Sequence, residues 1–118
     1  MELNLQTMTM ADIPFVSSYK LHMNKKDFVH ALVTWFEVGF LHCHRPITLS
    51  TSPKFKQTHW KQTIFYLDNA QPVNTGEVLE GSIAVRPNVV NHRELDVKIS
   101  YRLQGEHPLN SCQFYRIR

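Results

Sequence analysis

Residues 93–103 alternate with a period of two. Leu95, Val97, Ile99, Tyr101 and Leu103 are apolar, and Asp96, Lys98, Ser100 and Arg102 between them are polar. That period puts the two sets on opposite sides of a pleated chain, so the segment predicts a strand with one buried and one wet face. Residues 15–23 repeat the theme, with Phe15, Ser17, Tyr19, Leu21 and Met23 opposite Val16, Ser18, Lys20 and His22. Residues 77–86 predict another strand with Leu79, Ile83 and Val85 inside; Gly81 falls on the same face and marks a bulge or a close approach of backbone. Residues 28–42 are rich in Val, Phe, Trp and Thr, which favours one long strand over a buried helix. Residues 60–67 read as a further strand, and the weakly alternating tail 112–117 adds to a sheet.

Turn signals separate these runs. Asn24-Lys25-Lys26-Asp27 predicts a hairpin between the first two strands. Asp68-Asn69-Ala70-Gln71-Pro72 and Asn74-Thr75-Gly76 read as breakers. Residues 87–92 join two alternating segments and predict a second hairpin, and residues 105–110 form a polar turn around Pro108. Residues 9–13 predict a single helical turn, capped by Thr9 with Asp12 in the capping-box position. No long amphipathic helix, internal repeat or linker is visible, so 1–118 reads as a single domain. Six or seven closely spaced strands predict an all-β, antiparallel β-barrel-like fold, favoured over a sandwich because closure hides apolar edges. Glu2-Leu3-Asn4-Leu5 opens like a strand already under way, which suggests a piece cut from a longer chain.

Composition narrows the classes. The chain has 118 residues, 42% hydrophobic and 19% charged, enough for one packed core and unlike a disordered tail. Thirteen basic against ten acidic residues give +3, too little to predict nucleic-acid binding by charge alone. The longest nearly apolar run, 28–41, holds His30, Thr34 and Glu37 and falls short of the roughly 20 residues of a membrane helix, so no membrane partner is expected. Two cysteines are too few for a disulfide scaffold and point to a reducing compartment. Four dispersed glycines, at 39, 76, 81 and 105, leave no glycine-rich cofactor loop.

The stretch 38–67 contains no acidic residue but holds Arg45, Lys54, Lys56 and Lys61 with His42, His44 and His59. A solvated connection is the plainer explanation; a functional loop carried by a rigid sheet is the sharper one. Phe55 between two lysines is compatible with RNA contact or with simple solvation. His42-Cys43-His44 lacks the paired spacing of a zinc site, so no metal site is expected. His30 is expected to be a hydrogen-bonded core histidine, and Glu37 and Asp96 to lie on solvated strand faces.

Thr58-His59-Trp60-Lys61-Gln62-Thr63 resembles the "THW loop" of protein arginine N-methyltransferases. Ser50-Thr51-Ser52-Pro53 resembles the element preceding that loop, and further similarity lies in 28–33, Cys43-His44, Thr75-Gly76-Glu77 and the segment from Arg86-Pro87-Asn88 to Arg93-Glu94-Leu95-Asp96. The resemblance spans essentially all 118 residues and is to the type I, asymmetrically dimethylating branch. It implies the C-terminal, substrate-binding β-barrel of such an enzyme. It also implies that the S-adenosylmethionine-binding domain, the glutamate pair that holds the guanidinium and the dimerisation arm lie outside this chain. His59 would then support catalysis through an acidic partner on the cofactor domain. Trp60 would offer an aromatic face to the substrate guanidinium, and Thr58 would fix the loop by a hydroxyl-to-backbone bond. The resemblance further implies S-adenosylmethionine in the whole enzyme but no cofactor on this chain, Arg-Gly-rich protein substrates, and residence in cytoplasm and nucleus. The isolated chain is expected to be inactive. A free-standing barrel that partners a complete methyltransferase is the rival reading, and an RNA-binding barrel a weaker one.

Overall fold

The structure, a computed structural model, describes residues 6–118. The strand read at residues 2–5 lies outside them. A single-turn 3-10 helix, Met10–Asp12, precedes eight strands, where six or seven were expected: β1 (Phe15–His22), β2 (Asp27–Thr34), β3 (Glu37–Phe40), β4 (Ile47–Ser50), β5 (Thr63–Val73), β6 (Val78–Pro87), β7 (Leu95–Gln104) and β8 (Leu109–Ile117). They form a four-stranded sheet in the order β1-β6-β7-β8 and two two-stranded sheets, β2-β5 and β3-β4. The described residues divide into two compact units: one runs through Phe28 and resumes over Gln71–Arg118, the other is Val29–Ala70.

The first unit is built on the four-stranded antiparallel sheet. Cross-strand register stacks Leu21, Leu79, Leu103 and Leu109 in one row and Phe15, Val85, Val97 and Tyr115 in another. Leu79, Val97, Ile99 and Leu103 are almost completely buried. Each such side chain stabilises the fold by about 1.5–3 kcal/mol relative to exposure. The opposite face carries Arg86, Asp96 and Arg116 in one row and Glu80 beside Arg102 in another. Asp96 there accepts from Arg116 at 3.3 Å, and Glu80 from Arg102 at 2.8 Å. Period-two alternation thus predicted both faces of β7.

Gly81 marks a close approach, as its place on the inner face suggested. A Cβ there would stand 1.9 Å from the Ser100 carbonyl oxygen. That same carbonyl accepts the Tyr19 hydroxyl at 2.9 Å. The β6–β7 hairpin turns on the buried Asn88, whose Oδ1 accepts from the N–H groups of Val90 and Asn91 and whose Nδ2 donates to Asp96. At the N-terminal turn the Asp12 carboxylate accepts from the N–H and the hydroxyl of Thr9, at 2.7 and 2.9 Å, so the predicted capping-box pair is present.

Four local expectations are corrected. Residues 24–27 do not join a hairpin, because β1 pairs with β6 and β2 with β5. The end of β1 is clamped instead by Met23, whose N–H donates to Glu77 O and whose carbonyl accepts from Gly76 N–H. A non-local strand offered β1 the better apolar match, and a turn signal carries no information about that. Residues 68–72 do not break the chain: β5 runs on to Val73 through Pro72. Proline's missing N–H is tolerated where a two-stranded sheet leaves one side of each strand unpaired. The long strand over 28–42 is interrupted at Trp35 and Phe36, and residues 41–45 form a turn, so His42 and His44 do not share a strand face. His30 is exposed on β2 rather than a core residue.

Candidate functional site

The second unit carries the Thr58-His59-Trp60 segment. Hairpin β3–β4 pairs Glu37 with Ser50 at its open end, and residues 51–62 follow as a loop without regular structure. A buried polar anchor holds this loop. Ser50, Thr51 and Ser52 are 5%, 2% and 7% exposed, unusual for three consecutive hydroxyl residues. Each has partners. The Ser50 hydroxyl donates to Glu37 Oε1 at 2.8 Å and accepts from Ser52 N–H at 3.1 Å. The Thr51 hydroxyl accepts from Phe36 N–H and donates to Phe36 O, both at 3.0 Å, while Thr51 N–H also donates to Phe36 O. Gln62 Nε2 donates to the Thr51 carbonyl at 2.6 Å and so ties the far end of the loop to its start. Thr51 therefore gathers the break between β2 and β3 and both ends of the loop, which explains why the predicted long strand is interrupted at Trp35 and Phe36.

Pro53 and Lys54 form a tight turn. Phe55 N–H donates to Ser52 O at 3.0 Å, and Ser52 Oγ accepts from Lys54 N–H at 3.3 Å. Proline at the second position of such a turn is preset by its fixed φ. At the other end the Thr58 hydroxyl donates to the Trp60 carbonyl at 2.7 Å, the local bond expected of it. Trp60 meets Phe36 edge-to-face at 6.1 Å and 71°, and meets the His59 ring at 6.1 Å and 78°. Edge-to-face pairs of this kind favour a defined ring orientation. Trp60 remains 53% exposed and His59 is exposed, so the anchored loop displays an indole and an imidazole side by side.

The structure thus brings Thr58, His59 and Trp60 together and adds residues to which the sequence attached no role: Phe36, Glu37, Thr51 and Gln62. Glu37 is exposed on β3, as the sequence reading has it, and it also accepts the Ser50 hydroxyl. The available signal was the run Ser50-Thr51-Ser52-Pro53, a concentration of hydroxyls suited to backbone capping. Among the described residues no three His, Cys, Asp or Glu side chains converge as a metal site would require. A groove of about 490 Å³ on the four-stranded sheet, lined by Phe15, Val16, Lys98 and Phe114 among others, holds none of the predicted site residues.

Comparison with known proteins places this geometry in a family. Residues 1–106 match the arginine methyltransferase oligomerization subdomain. Protein arginine N-methyltransferase 1.1 of Arabidopsis thaliana is 38% identical over 117 residues, covering 98% of this chain and 30% of the relative. Protein arginine N-methyltransferase 1 of Schizosaccharomyces pombe is 42% identical over 108 residues, covering 92% and 32%. Among solved structures, the Trypanosoma brucei PRMT1 enzyme-prozyme heterotetrameric complex with AdoHcy superposes with a TM-score of 0.89 at 30% identity, covering 98% of this chain and 37% of that one. The chain spans about a third of the length of these relatives. It belongs to the protein arginine methyltransferase family and corresponds to the C-terminal barrel domain of its PRMT1-type members.

Proposed function

We propose that this chain is the substrate-side barrel of a protein arginine methyltransferase. The whole enzyme would transfer a methyl group from S-adenosylmethionine to a guanidinium nitrogen of Arg-Gly-rich proteins. The observation that carries the reading is the anchored loop: Thr51 and Gln62 hold its base while Trp60 and His59 stand at the surface. An exposed indole attracts a guanidinium through its π face, and the attraction grows as the pair is desolvated. The imidazole of His59 would orient or relay a proton through a carboxylate supplied by the cofactor domain. Thr58 fixes the backbone between them.

This chain's own residues do not fit the methyl donor. Its two nearest glycines, Gly76 and Gly81, are five residues apart, and one serves a turn at φ +86° while the other serves strand packing. A glycine-rich strand-to-helix turn of the dinucleotide-binding kind needs a tighter cluster. S-adenosylmethionine would therefore bind on the cofactor domain, and the barrel would contribute substrate contacts and, through its oligomerization subdomain, assembly with other subunits. Cytoplasmic and nuclear residence accompanies this reading.

Incubating the chain with labelled S-adenosylmethionine and an Arg-Gly-rich peptide tests it. No transfer is expected from the chain alone, and transfer is expected from a protein that joins this sequence to a cofactor domain. Turnover by the chain alone would overturn the assignment. A second reading, a barrel that partners a separate methyltransferase, draws on the Trypanosoma brucei relative, where an enzyme assembles with a prozyme. An antibody against this chain separates the two in cell extract. A band larger by roughly 100–200 residues or more supports the first, and a band at 13.8 kDa the second.

A further inference from the structure

On the four-stranded sheet Arg86, Arg102 and Arg116 each lie within 4 Å of an acidic side chain. Lys54, Lys56 and Lys61 have no acidic partner among the described residues, and all three are exposed. They sit on one loop whose ends the Gln62–Thr51 bond closes at 2.6 Å. Between two of them stands Phe55, 62% exposed, presented by the turn that Ser52 holds. A phenyl ring held in water on a tied loop, flanked by unneutralised ammonium groups, is the combination that meets a strand of phosphates and unpaired bases.

We propose that the loop 51–62 binds single-stranded nucleic acid. Lys54, Lys56 and Lys61 contact successive phosphates, and the Phe55 ring stacks on a base. An acidic protein segment would use the same cations but has no planar base for Phe55, so the exposed ring favours the nucleic acid. The proposal goes beyond the methyltransferase reading and does not depend on it.

The test is fluorescence anisotropy of a labelled oligouridylate titrated with the 118-residue chain at several salt concentrations. Three phosphate contacts on a single strand predict that log K falls with log salt with a slope of about −2. Lys54→Gln should reduce the slope by about 0.7. Phe55→Ala should weaken binding about ten-fold with the slope retained, and Phe55→Trp should restore it. Because Phe55 is exposed, a circular dichroism spectrum unchanged in Phe55→Ala separates lost stacking from lost fold. No binding at low salt would overturn the proposal. So would binding insensitive to Phe55→Ala and displaced equally well by polyglutamate, which would assign the loop to an acidic protein segment.

Discussion

The Gln62 side-chain amide donates to the Thr51 carbonyl across 2.6 Å and makes the two ends of an otherwise irregular loop into one fixed base. Thr51 is 2% exposed, and its hydroxyl serves Phe36 as both acceptor and donor. Thr51→Val keeps the shape but leaves the Phe36 N–H without that acceptor. The expected cost is about 1–3 kcal/mol, the penalty of a buried unsatisfied group. Urea denaturation reads it as a lower midpoint at unchanged m. A midpoint equal to wild type would mean that the buried hydroxyl does not anchor the loop.

Trp60 carries the substrate-facing prediction. In a protein that joins this sequence to a cofactor domain, Trp60→Ala removes roughly 1–2 kcal/mol of cation–π attraction, or about 5- to 30-fold in kcat/KM. Trp60→Phe keeps a weaker π face and should fall between. Steady-state kinetics on an Arg-Gly-rich peptide decides the matter, and wild-type kcat/KM in Trp60→Ala would remove the residue from the substrate site.

Tyr19 and Gly81 share the Ser100 carbonyl, one by a hydrogen bond and the other by having no side chain. Gly81→Ala would force a Cβ into 1.9 Å contact with that backbone oxygen, so the strands must separate and soluble, folded protein should be lost. The Tyr19 hydroxyl is pushed up to about 12, chiefly by burial, with Tyr101 and Tyr115 adding to the effect. Unfolding frees a phenol of ordinary pKa near 10. Between these values the unfolded chain has released the proton and the folded one has kept it, so stability falls as pH rises from 10 to about 12. Tyr19→Phe should flatten that alkaline limb in pH-dependent denaturation; an unchanged limb would assign it to another group.

Glu77 is one of the carboxylates that shape the acid side, with Asp12 and Asp96. Its carboxylate accepts from Asn74 N–H at 2.8 Å and Glu106 N–H at 3.0 Å, and these bonds, the first the larger, hold its pKa below the usual carboxylate range. A depressed folded pKa gives stability that is present above the unfolded value and lost as pH falls through the folded one. Glu77→Gln should therefore reduce the acid dependence of the denaturation midpoint below about pH 4.5. An identical acid profile would show that these two N–H bonds do not discriminate the charged form.

The sequence by itself determined the all-β class, both faces of β7, the hairpin around Asn88 and the capped turn at Thr9. Each is a local property: period two, turn chemistry and capping act over a few residues and need no partner to be read. The resemblance at Thr58-His59-Trp60 likewise located the candidate loop. Tertiary structure alone decided that β1 pairs with β6, that β5 continues through Pro72, and that the strand read from Phe28 stops at Thr34. These outcomes depend on which distant segment offers the better apolar face or takes up a backbone group. It also decided which polar residues are anchors. Ser50, Thr51 and Ser52 look like surface residues in a string of letters, and they become a buried network, with the exposed Glu37 accepting from Ser50, because the hairpin folds the chain back on them. The same holds for the lysines of residues 51–62. Their number and the absence of acidic residues from 38–67 were legible, but that no carboxylate from another part of the described chain pairs with them was decided by the tertiary structure.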